Sequence, residues 1–251
     1  MGTSTSSRGP NDKSPLIPPW ADVDNAGPGP NPQPNRFRGF RTSLGRFVSS
    51  GDRSYLQKAL RGYARSATGG SEVGPRRFGA MARTGGGLYG VLNQLRNDPE
   101  KAPLNLGALA GRPTREVIDS IVEALVPENG DADRIRVALN EALSTCLEGE
   151  EAFDFNSITD EVLIAVMLSY VIQCVFEQIV LDSKRAFAKA GAPKQVEDAE
   201  RDLFELVRAV TERHMQPLLE IKLQGMSEKK MQGLQLKAIR EVWLEWEGYE
   251  P

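Results

Sequence analysis

The chain has little of what catalytic and metal sites are usually built from: one histidine and two cysteines among 251 residues. Cys146 and Cys174 both lie in apolar runs, which favours a reducing compartment over a disulfide framework. No site with several His or Cys ligands can be assembled. A catalytic triad that uses a histidine would have to use His214. We therefore expect no metal, no cofactor and no catalytic residues, with His214 as the only route to an alternative enzymatic role.

Export and membrane signals are also scarce. The first 15 residues lack both the basic and the apolar region of a signal peptide. The longest uncharged apolar run, residues 162–176, has 15 residues before Glu177, whereas a membrane span needs about 18 or more. We expect a cytoplasmic protein without a membrane segment, in which this run forms a buried central helix.

The small net charge of -3 conceals a strong asymmetry. Residues 36–90 carry ten arginines and one lysine against two acidic side chains, a net charge of +9, and residues 91–251 carry -11. A chain divided in this way either neutralises itself internally or offers its basic part to an anionic partner.

Residues 1–35 hold eight of the 16 prolines and few large apolar side chains. Such a composition cannot form a core, so a disordered, extended Pro/Gly-rich tail is predicted. Within it, Leu16, Ile17 and Trp20 are the large apolar side chains that can make hydrophobic contacts. They either dock on a partner in an extended conformation or pack back on the folded body.

From residue 36 the apolar spacing becomes helical. Phe37, Phe40, Leu44 and Phe47 share one face of a basic amphipathic helix. The arginines around it are candidate contacts to nucleic acid or to a partner protein: Arg36, Arg38, Arg41 and Arg46. The alternative is that the phenylalanines enter the core while the arginines face solvent.

Helical patterns continue to the end of the chain. Asp52, Thr159 or Ser157, and Ser227 are predicted to open helices, and a helix is expected to end before Pro217. The glycines of residues 85–90 lack the lysine and the preceding strand of a phosphate-binding loop, which favours helix packing or a hinge. In the last helix, Trp243 and Trp246 either pack intramolecularly or dock on a partner.

The predicted fold is mainly α, a multi-helix globular domain preceded by a disordered tail. Three regions are expected along the chain: a tail over residues 1–35, a basic Arg/Gly-rich helical segment over 36–95, and an acidic α-helical domain over 96–251.

Three stretches carry a resemblance to a known family. They are Met1-Gly2-Thr3-Ser4-Thr5-Ser6-Ser7, Pro18-Pro19-Trp20 and Arg36-Phe37-Arg38-Gly39-Phe40-Arg41-Thr42-Ser43-Leu44-Gly45-Arg46-Phe47, followed by Gly51-Asp52-Arg53 and Gly62-Tyr63-Ala64-Arg65. Together they resemble the B component of the Qat antiphage defence system, the QatB family. The likeness covers residues 1 to about 95, and the acidic half matches weakly.

The resemblance implies a bacterial four-protein system with an ATPase, a QueC-like enzyme of the queuosine type and a TatD-like nuclease as partners. It implies no catalytic residues in this chain. Related enzymes in defence systems join a 7-deazaguanine to an N-terminal glycine, a role open to Gly2 once Met1 is removed. The same start also fits the pattern for myristoylation, with Ser6 at its last position.

Two hypotheses follow. In the first, the chain is a non-enzymatic assembly or adaptor subunit whose Gly2 is presented to the QueC-like enzyme for modification. In the second, the basic segment 36–90 binds nucleic acid and recruits the nuclease and the ATPase.

Overall fold

The computed structural model describes residues 11–21, 29–147, 152–223 and 225–250, apart from the side chains of Leu104 and Lys222. Eight α-helices lie in these residues: α1 (Arg38–Ser50), α2 (Arg53–Gly62), α3 (Gly79–Asn97), α4 (Thr114–Leu125), α5 (Ala132–Leu147), α6 (Asp160–Ser183), α7 (Pro193–Lys222) and α8 (Glu228–Glu247). A π-helix (Tyr63–Ala67) follows α2, and five short 3₁₀ helices lie in the connections. The described residues form no strand, only one isolated bridge between Pro113 and Ala152, which confirms the predicted mainly α class.

The helix starts follow the predicted capping residues. Their side-chain oxygens accept backbone N–H groups at 2.9–3.3 Å: Asp52 from Ser54, Thr159 from Val162, and Ser227 from Lys230. Each such bond satisfies one of the four N–H groups that a helix leaves without an internal partner at its N-terminus.

The expected helix end before Pro217 is wrong, because α7 continues through Pro217 to Lys222. Proline removes one backbone donor and usually kinks or ends a helix. Here Met215 and Leu219, on either side of Pro217, are both fully buried. Packing of the last turns offsets the missing hydrogen bond, and His214 lies inside a helix rather than at its end.

The chain forms two compact units. Unit 1 comprises the described residues of Met1–Arg77, Val175–Val210 and Ile239–Pro251, and unit 2 comprises those of Phe78–Cys174 and Thr211–Ala238. Each unit draws on residues before and after position 95, and the expected division of the chain into a basic and an acidic region stays a prediction. Helices α6, α7 and α8 each contribute residues to both units.

Unit 1 has an aromatic core. The predicted apolar face of α1 is buried, with Phe37, Phe40, Leu44 and Phe47 at most 1% exposed. A row of aromatic rings continues from this face at centroid distances of 4.8, 5.9 and 5.0 Å, through Phe40, Tyr63, Trp243 and Trp246. Both tryptophans are fully buried, and the indole N–H of Trp243 donates to Thr68 Oγ1 at 2.8 Å. The intramolecular packing predicted for the last helix is confirmed.

In unit 2, α3 lies very close to α8. A Cβ atom on Gly86 would lie 2.6 Å from the backbone oxygen of Glu228. Added Cβ atoms on Gly85 and Gly90 would collide with the side chains of Gln235 and Glu228. These glycines lie inside a continuous helix and permit close approach of its neighbour, which confirms the packing interpretation over a phosphate-binding loop.

Helix α6 is long and apolar enough to cross a bilayer by length and composition alone, but 61% of its most apolar window is buried inside the protein. Its polar residues Ser169, Gln173 and Glu177, at a spacing of four, are only partly buried, whereas Val166, Tyr170 and Cys174 are buried. Burial of this kind is typical of a core helix, as the sequence predicted.

Candidate functional site

Residues 11–21, the docked segment, lie against the rest of unit 1. Leu16, Ile17 and Ala21 are buried in a small apolar cluster, with Val73 packed beside them. The segment begins with a turn in which Asn11 Oδ1 accepts the N–H groups of residues 13 and 14 at 2.8 and 3.1 Å. This differs from the expected disordered tail, because three apolar side chains are enough to attach this part of it to the body.

Arg36 holds the docked segment by its backbone. Its Nη2 donates to the carbonyl of Ser14 at 2.8 Å and to that of Asn11 at 3.5 Å. Its Nη1 donates to the carbonyl of Ala67 at 3.1 Å. The side chain is only 4% exposed. Arg36 therefore links the tail to the end of the π-helix from a buried position, rather than facing solvent as expected.

Behind Arg36 lies a buried group of polar side chains, the Asp182 cluster: Tyr63, Arg77, Gln178 and Asp182. Asp182 is fully buried and accepts four hydrogen bonds. Its partners are Tyr63 OH at 2.8 Å, Arg77 Nη1 at 2.8 Å and Nη2 at 3.4 Å, and Gln178 Nε2 at 3.0 Å. A carboxylate taken out of water needs such partners, and this one has them from three elements.

The guanidinium groups of Arg36 and Arg41 lie on the ring of Phe37, at 4.6 and 4.4 Å from its centroid. Arg41 Nε also donates to the backbone carbonyl of Asp182 at 2.9 Å. Burial lowers the pKa of Arg36 and of Arg41; the charge of Arg77 lowers that of Arg36 further, and Asp182 acts in the opposite direction. The region is therefore crowded with positive charge.

The other two predicted arginines are exposed. Arg38 lies at the first position of α1, and Arg46 lies on the same helix with its guanidinium 5.7 Å from the ring centroid of Tyr55. Of the four candidate contacts, the structure thus leaves Arg38 and Arg46 on the surface, places Arg41 at an intermediate depth and buries Arg36.

The three side chains predicted to make contacts from the tail also differ in exposure. Leu16 and Ile17 are 5% and 9% exposed and face their own chain, while Trp20 is 40% exposed. Gly2 lies outside the described residues. The packing of Leu16 and Ile17 favours the second of the two interpretations given for this segment and leaves Trp20 as its accessible aromatic side chain.

Sequence reasoning did not find the Asp182 cluster. Asp182 lies 105 residues from Arg77 and 119 from Tyr63, so no local pattern connects them. One local signal was present: Gln178 and Asp182 are four residues apart near the end of an apolar helix, where a carboxylate requires a partner.

Within the described residues, no three His, Cys, Asp or Glu side chains are placed to share a metal ion. His214 lies half-buried on α7. Of the polar groups that the structure brings together, Arg36 attaches the N-terminal segment, and the Asp182 cluster joins three elements of unit 1.

Fold and site define an all-helical protein that carries an N-terminal segment attached through a buried arginine. The sequence model of one family, described as Qat anti-phage system associated protein QatB, matches residues 69–245. This is more than half of the chain, and the chain belongs to the QatB family. It is therefore a component of an antiphage defence system.

The family match confirms the resemblance and changes its extent. It runs through the acidic half, which we expected to match weakly, whereas the docked segment and α1 lie outside the matched residues. No curated protein and no solved structure shows significant similarity to the chain.

Proposed function

We propose that this chain is a non-enzymatic, cytoplasmic subunit of its defence system. It presents the amine of Gly2 to a QueC-like partner enzyme for conjugation to a 7-deazaguanine, and it acts as an assembly or adaptor subunit for the ATPase and the TatD-like nuclease. The observation that carries the proposal is the docked segment, which holds Asn11, nine positions after Gly2, in unit 1.

The reach of the terminus follows from that point. Eight residues lie between Gly2 and Asn11, which makes nine steps along the chain, and a fully extended chain spans at most about 3.3–3.6 Å per residue. The amine of Gly2 thus stays within about 30 Å of Asn11. A partner enzyme bound on this side of unit 1 would meet the amine at a high effective concentration.

The chemistry suits a glycine. After hydrolytic removal of Met1, Gly2 carries the α-amine. An α-amine ordinarily has a pKa of about 8, so a useful fraction of such amines is neutral at pH 7. The neutral amine attacks the acyl carbon of a 7-deazaguanine carboxylate that the partner has adenylated with ATP. The C–N bond forms, AMP leaves with the electron pair of the acyl–oxygen bond, and the amine releases a proton to solvent.

The docked segment also offers a contact for the partner. Leu16 and Ile17 are occupied by the chain itself, whereas Trp20 is 40% exposed. Aromatic side chains are common anchors of protein interfaces. In this proposal Leu16 and Ile17 hold the segment in place and Trp20 contacts the partner enzyme.

The test is the intact mass of the protein coexpressed with its operon neighbours. We expect a nucleobase adduct on the chain that lacks Met1, its loss in Gly2→Pro, and its retention in the matched control Ser4→Ala. Trp20→Ala should reduce both copurification with the enzyme and the fraction modified. An unmodified Gly2 in a system that still defends against phage contradicts the proposal.

The second candidate function, a nucleic-acid-binding adaptor, is favoured by one observation. Several basic side chains of unit 1 remain exposed: Arg38, Arg46, Arg53, Lys58 and Arg65. Phosphate contacts from such side chains would make affinity fall with salt, by about 0.9 in log K per log unit of salt for each neutralised phosphate on duplex DNA.

Titration of labelled duplex DNA over a range of salt concentrations tests this second function. We expect Arg38→Glu with Arg46→Glu to remove binding and Glu100→Lys, an exposed change outside the basic segment, to leave it unchanged. Absence of binding at low salt, or equal binding by the double variant, would exclude the function.

A further inference from the structure

The docked segment is attached to the rest of unit 1 by a small contact. Its apolar cluster consists of Leu16, Ile17 and Ala21, all from the segment itself, with Val73 packed against them from another part of unit 1. Its two turns are each closed by a backbone hydrogen bond of 3.0 Å within the segment. A segment that is held in this way can open locally at a lower cost than unfolding of the body.

The docked segment covers basic side chains of unit 1. Arg36 Nη2 donates to the carbonyls of Asn11 and Ser14, which lie on either side of Asp12 in the chain. The guanidinium groups of Arg36 and Arg41 lie on one aromatic ring, at 4.6 and 4.4 Å from its centroid. The segment thus places its own carbonyls, and the carboxyl group between them, where these cations lie.

Asp12 is the only acidic residue of the docked segment. Burial lowers the pKa of Arg36, Arg41 and Lys184, and the charges of Asp182 and Asp12 act in the opposite direction. The Oδ1 atom of Asp12 is buried and accepts no hydrogen bond from the described residues. The attraction at this oxygen is therefore of long range, and an anion that accepts hydrogen bonds from guanidinium groups can replace it.

The basic side chains have other bonds that remain when the segment leaves. Arg36 Nη1 donates to the carbonyl of Ala67 at 3.1 Å, and Arg41 Nε donates to the carbonyl of Asp182 at 2.9 Å. Neither bond involves the docked segment. Its release would leave Nη2 of Arg36 without its two carbonyl acceptors, in a position where phosphate oxygens can take their place.

We propose that the docked segment is a strap that inhibits the binding of nucleic acid by unit 1. In the closed state, its carbonyls and the carboxylate of Asp12 occupy Arg36 and Arg41. In the open state, phosphates of the nucleic acid replace them and also contact the exposed Arg38 and Arg46 of α1. The proposal rests on the second candidate function and adds its regulation. Because opening and binding are coupled, nucleic acid should in turn release the segment.

The double change Leu16→Ala with Ile17→Ala tests the strap, because it weakens closure without altering the charge of the protein. Titration of the full chain with labelled duplex DNA at low salt measures the affinity. If about one wild-type molecule in ten is open, the double variant should bind up to about tenfold more tightly. Pro19→Ala, an exposed change in the same segment, is the control and should bind as the wild type does. Melting temperatures should be the same for all three proteins.

Hydrogen exchange followed by mass spectrometry tests the reverse effect. Saturating duplex DNA should accelerate exchange in residues 11–21 of the wild type by several-fold and leave exchange in α6 unchanged. Asp12→Asn should increase the affinity for DNA more than Glu205→Gln does. Glu205→Gln is the matched control, since it removes an equal charge from an exposed position on α7.

Equal affinity of the wild type and the Leu16→Ala, Ile17→Ala variant would overturn the strap and leave nucleic-acid binding in place. Unchanged or slower exchange of residues 11–21 in the presence of DNA would do the same. Absence of DNA binding by both proteins would overturn the strap together with the second candidate function. Equal gains from Asp12→Asn and Glu205→Gln would contradict the competition between Asp12 and phosphate.

Discussion

The two units are stabilised in different ways. In unit 1, charged side chains lie inside, with Arg36 and Arg77 buried and Asp182 accepting four hydrogen bonds. In unit 2, the contact between α3 and α8 depends on the absence of side chains at Gly85, Gly86 and Gly90. Removal of a charge from the Asp182 cluster and addition of a methyl group between α3 and α8 should therefore both be destabilising, for different physical reasons.

The largest effect is expected for Arg77→Met, which leaves the carboxylate of Asp182 buried without its cation. Breaking a buried pair by removing one partner typically costs about 3–5 kcal/mol in the free energy of unfolding. Urea denaturation followed by tryptophan fluorescence measures it, because all three tryptophans belong to unit 1.

Arg53→Met is the matched control for that experiment. Arg53 pairs with Asp202 at 3.2 Å, but its side chain is 75% exposed, and such pairs contribute about 0–1 kcal/mol. If the two variants lost similar stability, burial of the Asp182 cluster would not be what distinguishes unit 1.

In unit 2, Gly86→Ala should lower the free energy of unfolding by about 1–3 kcal/mol, because its Cβ meets the backbone of Glu228 and the helices must separate. Gly233→Ala, on α8, should raise it by about 0.5–1 kcal/mol, because nothing lies within 4 Å of its Cβ and alanine is the better helix former. Far-UV circular dichroism during denaturation compares them. If both variants changed the free energy of unfolding in the same direction, helix propensity rather than the close approach of α3 and α8 would determine the stability change.

The attachment of the docked segment is tested by the double change Leu16→Ala with Ile17→Ala. Truncation of two buried side chains should favour local opening without unfolding the body. Cleavage by trypsin after Lys13, which is exposed, should then accelerate by at least about tenfold. Mass spectrometry follows the cleavage, and the exposed change Pro19→Ala serves as the control. An unchanged rate in the double variant would mean that Arg36 alone holds the segment.

The smallest effect concerns the cap of α2. The backbone N–H of Ser54 donates to Asp52 and lowers the pKa of that carboxyl. Its stabilising contribution is present above the unfolded pKa, ordinarily about 3.9, and is lost as pH falls through the lower folded value. Asp52→Asn should be slightly less stable than wild type at neutral pH, and the difference should become smaller in acid, as the pH falls below about 3.9. Urea midpoints at neutral and acid pH measure this, and a difference that persists undiminished in acid would contradict it.

Features that depend on local spacing could be predicted from the sequence. The buried face of α1 follows from apolar residues three and four positions apart. The caps at Asp52, Thr159 and Ser227 follow from side-chain oxygens placed just before apolar runs. The intramolecular packing of Trp243 and Trp246 follows from the apolar stripe that continues back along α8.

Features that depend on distant parts of the chain could not be predicted. The burial of Arg36 rests on carbonyls of the docked segment and of Ala67, and a solvent-facing arginine has the same local pattern. The same is true of Arg77, whose carboxylate partner lies 105 residues away. The continuation of α7 through Pro217 depends on the packing of Met215 and Leu219. The local preference of proline for helix ends does not take such packing into account.

The hydrogen bonds from Arg36 to the docked segment have an evolutionary consequence. Arg36 Nη2 binds the main-chain oxygens of Asn11 and Ser14, and every amino acid provides such an oxygen. Substitutions at these two positions should therefore leave the segment attached, provided that Arg36 and the three buried apolar side chains, Leu16, Ile17 and Ala21, are kept. Selection on the outward side chains of the docked segment can then act independently of selection for its attachment.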